Sequence, residues 1–82
     1  MVFNMNIMKL KELTETSVTY FYFPEGKEPF GEIRMDFNAD KPVIITQANN
    51  YVACTYTNHA LNAVKQCVEE NDFPEEFTNA WY

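Results

Sequence analysis

His59 is the only histidine of this 82-residue chain, and an imidazole can act as a general base or bind a metal ion. The surrounding pattern predicts a helix, on which the turn neighbours of His59 include Tyr56 and Asn62 but no carboxylate that would orient the ring. The only serine has no glycine elbow around it. We therefore expect a structural or surface histidine, and we keep a ligand or enzyme site using His59 beside Tyr56 as an alternative.

Cys54, His59 and Cys67 are the one set whose residue types suggest a metal centre. Zinc sites use closely spaced ligand pairs, whereas these residues follow one another at intervals of five and eight on one predicted helix. Residues 54 and 67 would lie about 20 Å apart along that helix, beyond the reach of a disulfide. The sequence therefore predicts no metal site, no cofactor and no disulfide, and both thiols are expected to pack as small hydrophobic groups.

Five acidic side chains fall within residues 69–76, where the predicted helix ends. The helix dipole already disfavours negative charge at a C-terminus, so the cluster could mark a cation site or a basic partner. Its spacing does not match a calcium-binding loop. The simpler interpretation is that these charges only keep the chain in solution. The residues are Glu69, Glu70, Asp72, Glu75 and Glu76.

The charge balance excludes some partners. The net charge is −6, and the six lysines and arginines are scattered along the chain. Nucleic acids and anionic lipids bind clustered basic side chains, so neither is an expected partner. No apolar run approaches the roughly 18 residues of a membrane span, and residues 1–7 lack the features of a signal peptide. A cytoplasmic location is therefore expected.

The elements that must position these side chains follow from periodicity and turn chemistry. Residues 17–23, 30–37 and 43–48 are predicted strands, and short connections favour an antiparallel meander. Residues 50–71 are predicted to form one long helix packed on one sheet face, although residues 51–57 could instead form a fourth strand. Asn49 and Asn50 are candidate caps, and Pro74 should end the helix. The predicted class is α+β.

Both ends of the chain contain apolar residues. Residues 1–7 are expected to form a flexible extension, which leaves residues 8–82 as a single domain. The tail finishes in Trp81 and Tyr82, whose exposure to water would be unfavourable. The tail is therefore predicted to pack back on the sheet or the helix.

The first predicted strand carries aromatic side chains on both faces. If Phe21 and Phe23 face the helix, the neighbouring tyrosines face outward, where one helix cannot cover them. A partner or a second subunit could dock there, or the protein's own termini could cover the face. The candidate interface residues are Tyr20, Tyr22, Arg34, Val43 and Ile45.

The second half contains three short motifs: YTNHA at residues 56–60, FPEE at residues 73–76 and AWY at residues 80–82. With these motifs the chain resembles small uncharacterised proteins of Firmicutes. The resemblance covers residues 8–82 and implies a cytosolic bacterial protein, without implying an activity. It also implies a shared role, structural or functional, for His59, Trp81 and Tyr82. Trp81 thereby joins His59 and Tyr56 as a candidate ligand-site residue.

Taken together, these patterns predict a non-enzymatic domain that acts through protein–protein contacts, in the leading form as a homodimer through the open sheet face. One alternative is an acidic inhibitor of the phage type that mimics the charge of a nucleic acid. The other is a small-molecule-binding domain or enzyme with its site at the edge between sheet and helix.

Overall fold

The computed structural model describes residues 4–48 and 53–81, with only the backbone described for residues 53 and 54. Five strands and one helix follow one another in this part of the chain. They are β1 (Asn4–Leu13), β2 (Ser17–Pro24), β3 (Gly31–Asp36), β4 (Val43–Thr46), α1 (Ala53–Glu70) and β5 (Glu76–Trp81). The predicted α+β class is therefore confirmed.

The strands of the described chain form one antiparallel sheet in the order β4-β3-β2-β1-β5. β2, β3 and β4 correspond to the three predicted strands, and their meander is confirmed. The prediction of three or four strands is wrong, because β1 and β5 extend the sheet on the other side of β2. The helix is also not the last element, since β5 follows it and pairs with β1.

β1 contradicts the prediction of a flexible extension over residues 4–7. These residues pair with β2 on one side and with β5 on the other, as at Asn6, which lies opposite both Pro24 and Asn79. A strand paired on both sides belongs to the centre of the sheet. The boundary predicted at Met8 therefore falls inside β1, and residues 1–3 lie outside the described residues.

The helix α1 has 18 residues and is shorter than the predicted span 50–71. It ends because Asn71 takes a left-handed conformation with φ of 53°. The Asp72 amide then donates to the Cys67 carbonyl at 3.0 Å, and the Asn71 amide donates to Val68 at 3.2 Å. This pattern is a Schellman motif. Residues 53–57 are helical, whereas residues 49–52, with the predicted caps, lie outside the described residues.

One sheet face, here called the inner face, lies under α1 and forms the core with it. Tyr20 and Tyr22 belong to this face and are 0% exposed, so the outward orientation considered for them is wrong. Their hydroxyl groups have partners that permit burial. Tyr20 donates to the Pro74 carbonyl at 2.7 Å, and Tyr22 lies 2.7 Å from the Thr57 hydroxyl and accepts from the Ala48 amide at 3.1 Å.

The helix contributes the apolar side that its periodicity predicts. Ala60 and Val64 are 0% exposed, and Ala63 and Cys67 are 7% and 8% exposed. The tail also packs as predicted, since β5 pairs with β1 from Glu76 to Trp81. Trp81, at the end of β5, contacts Tyr56 and His59 in the first half of α1. The candidate ligand-site residues therefore lie together on the inner face.

Candidate functional site

The edge strand β4 leaves its side chains in solvent. Val43, Ile44 and Ile45 are 55%, 43% and 52% exposed, whereas aliphatic side chains of a small domain are usually placed in its core. Val43 lies opposite the exposed Arg34 of β3, on the outer face of the sheet. Ile44 lies opposite the core residue Ile33 and so is on the inner-face side of the same edge. We call the side chains around this edge, Arg34, Val43, Ile44 and Ile45, the β4 patch.

The local sequence explains why β4 presents side chains rather than a long free edge. Pro42 precedes the strand and supplies no N–H group. The pairing with β3 shifts register, so that Thr46 lies opposite Glu32 while Ile44 lies opposite Ile33. Ile45 is the additional residue, as in a β-bulge. A short, bulged strand is a poor template for another strand, so the patch is suited to side-chain contact.

The charges around the β4 patch are of both signs. Arg34 forms an exposed ion pair with Asp36, with 3.1 Å between Nη2 and Oδ1. Asp40 and Lys41 are exposed just before β4. An exposed pair of this kind contributes at most about 1 kcal/mol to folding, so these side chains can exchange partners at little cost in stability.

The centre of the outer face is covered by side chains of the same chain. Phe30, in the connection between β2 and β3, packs 5.1 Å from Phe21 and 5.0 Å from Phe23, measured between ring centroids. The Lys9 ammonium group lies 5.0 Å from the centroid of the Phe23 ring, and the Lys11 ammonium group lies 5.5 Å from that of Phe21. Among the described residues, the exposed large apolar side chains are the three aliphatic residues of β4, together with Leu13 on β1 and Phe30, which is 38% exposed.

The five candidate interface residues separate into two groups. Arg34, Val43 and Ile45 are exposed and neighbour one another at the β4 patch. Tyr20 and Tyr22 lie in the core under α1 and offer no outer surface.

Tyr56, His59 and Trp81, the candidate ligand-site residues, do come together. The Trp81 indole stacks on the His59 imidazole, with ring centroids 3.9 Å apart and planes inclined by 9°. Tyr56 meets the indole edge-on at 5.3 Å. Its hydroxyl donates to the Glu25 carboxylate, which raises the pKa of Tyr56 above its ordinary value. The indole covers one face of the imidazole, so that face is not open to a ligand. The main effect of the stack is to hold β5 against α1.

Asn6 also links β1 to α1 and to β5 in this region, and the sequence patterns did not predict this role. Its side chain is 0% exposed, and its amide nitrogen donates to the Tyr56 carbonyl at 2.9 Å and to the Asn79 side chain at 3.3 Å. Among the described residues, no donor pairs with its Oδ1 atom. Asparagine in an apolar segment is the only sequence signal of such a buried amide.

A cleft of about 340 Å³ separates α1 from β5. Ala63 and Cys67 line its helix side, and Phe77 lines its strand side. Burial raises the pKa of the Cys67 thiol, and the nearby Asp72 and Glu70 carboxylates raise it further. The thiol is therefore protonated at neutral pH, which is the inert form of a cysteine.

The described residues contain no group of three or more His, Cys, Asp or Glu side chains placed to hold a metal ion. In the same part of the chain, no helix has the length and apolar character needed to cross a membrane. The side chain of Cys54, one of the residues considered as a ligand, lies outside the described residues.

Comparison of the chain with protein-family models, with curated proteins and with solved structures found no match. The resemblance to Firmicutes proteins therefore stays a prediction. The candidate surfaces are defined by geometry: the β4 patch at one edge of the sheet, and the cleft beside β5 at the other.

Proposed function

We propose that this protein is a non-enzymatic binding domain that forms a homodimer through the β4 patch. The observation that carries the proposal is the exposure of Val43, Ile44 and Ile45 in consecutive positions on an edge strand. Burying the exposed remainder of these side chains would contribute about 1 kcal/mol each. An apolar patch of this kind is typical of an interaction surface.

A second copy is the partner that best fits the charges. In a twofold dimer the same patch faces itself, so apolar side chains meet apolar side chains. Arg34 and Lys41 can then lie near Asp36 and Asp40 of the other copy, because both signs are present beside the patch. The chain as a whole carries a net charge of −6, and two copies would repel each other less at this locally balanced surface than at an acidic one.

Sedimentation velocity over a range of concentrations tests the proposal. The wild-type protein is expected to dimerise, and Ile45→Lys is expected to shift it to monomer, because the added ammonium group would be desolvated at the interface. Leu13→Lys is the matched control, since Leu13 is an aliphatic side chain on another strand and is 47% exposed, against 52% for Ile45. This variant should dimerise like the wild type.

Two results would contradict a homodimer formed through the β4 patch. One is a wild-type protein that stays monomeric at about 1 mM, the concentration at which an interaction of about 4 kcal/mol becomes populated. The other is a dimer that Leu13→Lys disrupts as strongly as Ile45→Lys, which would place the contact elsewhere on the sheet. Circular dichroism of each variant separates loss of association from loss of folding.

A further inference from the structure

The second edge of the sheet differs from β4 because β5 offers its backbone. The Leu10 amide donates to the Glu75 carbonyl at 2.8 Å, and Met8 lies opposite Phe77 in the same register. In an antiparallel pair, hydrogen-bonded positions alternate along the strand. Phe77, Asn79 and Trp81 therefore bond to β1, while the N–H and C=O groups of the intervening residues point away from the sheet. Those residues are Glu76, Thr78 and Ala80.

This free edge is regular and borders a groove. Within the described chain no strand pairs with the outward side of β5, and its register with β1 shows no shift. The cleft of about 340 Å³ runs alongside it, between Cys67 on α1 and Phe77 on β5. We call the cleft and the outward backbone of β5 the β5 groove. A strand edge beside a helix, with a cleft between them, is the geometry that binds an extended peptide by strand addition.

The charge around the β5 groove is one-sided. Among the described residues, Glu70 and Asp72 are the charged side chains that line the cleft, and the last turn of α1 contains no basic residue. The carboxylates of Asp72 and Glu70 also contribute to the raised pKa of the Cys67 thiol at the cleft wall. This end of the groove is therefore negative, whereas the rest of the cleft lining, including Ala63 and Asn79, carries no charged side chain.

We propose that the β5 groove binds an extended basic peptide segment of a partner protein as a sixth strand of the sheet. Outward amides and carbonyls of β5 would bond to the peptide backbone. Alternate peptide side chains would enter the cleft, where aliphatic groups contact Phe77 and a lysine or arginine reaches Glu70 and Asp72. The site lies on the opposite edge from the β4 patch, so it does not depend on dimer formation.

The probe is a blocked peptide as long as β5 in which the alternate side chains of one face include both valine and lysine. Its binding is followed by the amide chemical shifts of isotope-labelled protein. Binding is expected to shift the amides of Glu76, Thr78 and Ala80 and to protect them from hydrogen exchange. The same peptide with glutamate in place of lysine is expected to bind at least about tenfold more weakly. A peptide methylated on the alternate backbone nitrogens that would face β5 is also expected to bind at least about tenfold more weakly, because it cannot donate hydrogen bonds to the β5 carbonyl groups.

Variants test the backbone and charge contributions separately. Thr78→Pro removes an outward N–H group but no bond to β1, and proline is tolerated on an edge strand in this position. It should abolish binding while the Trp81 fluorescence of the folded protein is retained. The double variant Glu70→Lys/Asp72→Lys should bind the lysine-containing peptide at least about tenfold more weakly than the wild type. Glu69→Lys changes a neighbouring charge outside the cleft and should leave the affinity within about twofold.

Several outcomes would overturn the proposal. Absence of binding at millimolar peptide would do so, as would shifts that map to β4. Equal weakening by Glu69→Lys and by the cleft variants would show unspecific charge attraction. Undiminished binding of the methylated peptide would exclude strand addition without reliance on any protein variant. Because Thr78→Pro leaves the β4 patch intact, its effect on peptide binding and the Ile45→Lys effect on dimerisation can be separated.

Discussion

Gly31 is a residue whose small size is required by its neighbour. A Cβ atom at Gly31 would overlap the ring of Tyr22, which lies opposite on β2. The ring cannot withdraw, because its hydroxyl is held by Thr57 and by the Ala48 amide. The close approach of strand and ring is therefore part of how the helix is fixed on the sheet.

Gly31→Ala is accordingly expected to destabilise the protein by about 2–3 kcal/mol, through overpacking against Tyr22. Gly26→Ala is the matched control. Gly26 has φ of 75°, but an added Cβ would meet only Ile7 and Met5 at 3.4 Å or more, so about 1 kcal/mol of backbone strain is expected. Urea unfolding measures both values. A cost at Gly31 no larger than that at Gly26 would contradict the packing described for Tyr22.

The orientation of the aromatic residues in β2 shows what residue types alone could not determine. Phenylalanine is more apolar than tyrosine, which favours Phe21 and Phe23 as core residues. The structure instead buries Tyr20 and Tyr22, because the Pro74 carbonyl and the Thr57 hydroxyl satisfy their hydroxyl groups. Both partners are distant in sequence, so no local pattern could reveal them.

At the scale of elements, β5 is attached to the helix mainly through Trp81. The stack on His59 and the edge contact with Tyr56 lie at the end of β5 that pairs with Asn4. Trp81→Ala is therefore expected to cost about 2 kcal/mol, from lost apolar burial and from the aromatic contacts. Hydrogen exchange should show that the amides of β5 lose more protection than those of β2.

His59→Ala supplies the comparison for that element. If the stack couples the two residues, the double variant should cost about 1 kcal/mol less than the sum of the single variants. Strict additivity would mean that Trp81 stabilises β5 without help from the imidazole.

The elements that the sequence revealed are those with strong periodicity. β3 alternates cleanly, and β2 is dense in aromatic residues, so both could be predicted. β1 was missed because Asn4 and Asn6 face inward, where a core strand is expected to carry apolar side chains. β5 was missed because Glu76 and Asn79 have low strand preference, and because its pairing with β1 spans nearly the whole chain. Val43 and Ile45 were expected on the outer face from strand alternation, whereas the exposure of Ile44 was not predicted.

At the scale of the whole molecule, stability should depend on pH in the alkaline range. Burial raises the pKa of Tyr20 and of Cys67 above their ordinary values, and nearby Asp72 raises both further. Above about pH 9 the unfolded chain ionises these groups first and so binds fewer protons than the folded chain. The free energy of unfolding should therefore be steady near neutral pH and fall as the pH rises from about 9 to 11.

Urea midpoints measured across that pH range check the prediction. In Cys67→Ala, the fall should begin nearer the ordinary tyrosine pKa of about 10. A free energy of unfolding that rises with pH in this range would show that the sign of these shifts is wrong.

The two edges of the sheet give the molecule two chemically different surfaces. β4 presents aliphatic side chains with balanced charges, and β5 presents backbone groups beside an acidic cleft. Because β4 and β5 lie at opposite ends of the strand order, a dimer joined at β4 would leave both peptide grooves open and would bind two segments of a partner at once.

Asn4 lies opposite Trp81, so the described chain begins and ends at one corner of the sheet. Read as a circle, the strand order β5-β1-β2-β3-β4 is a single uninterrupted meander, and α1 is the link that returns from its last strand to its first. The long sequence separation between β1 and β5 is thus a matter of where the circle is cut. A circular permutant joined across this corner and opened in the exposed turn at residues 38–41 would preserve every contact described and would make the pairing of β1 with β5 a local one.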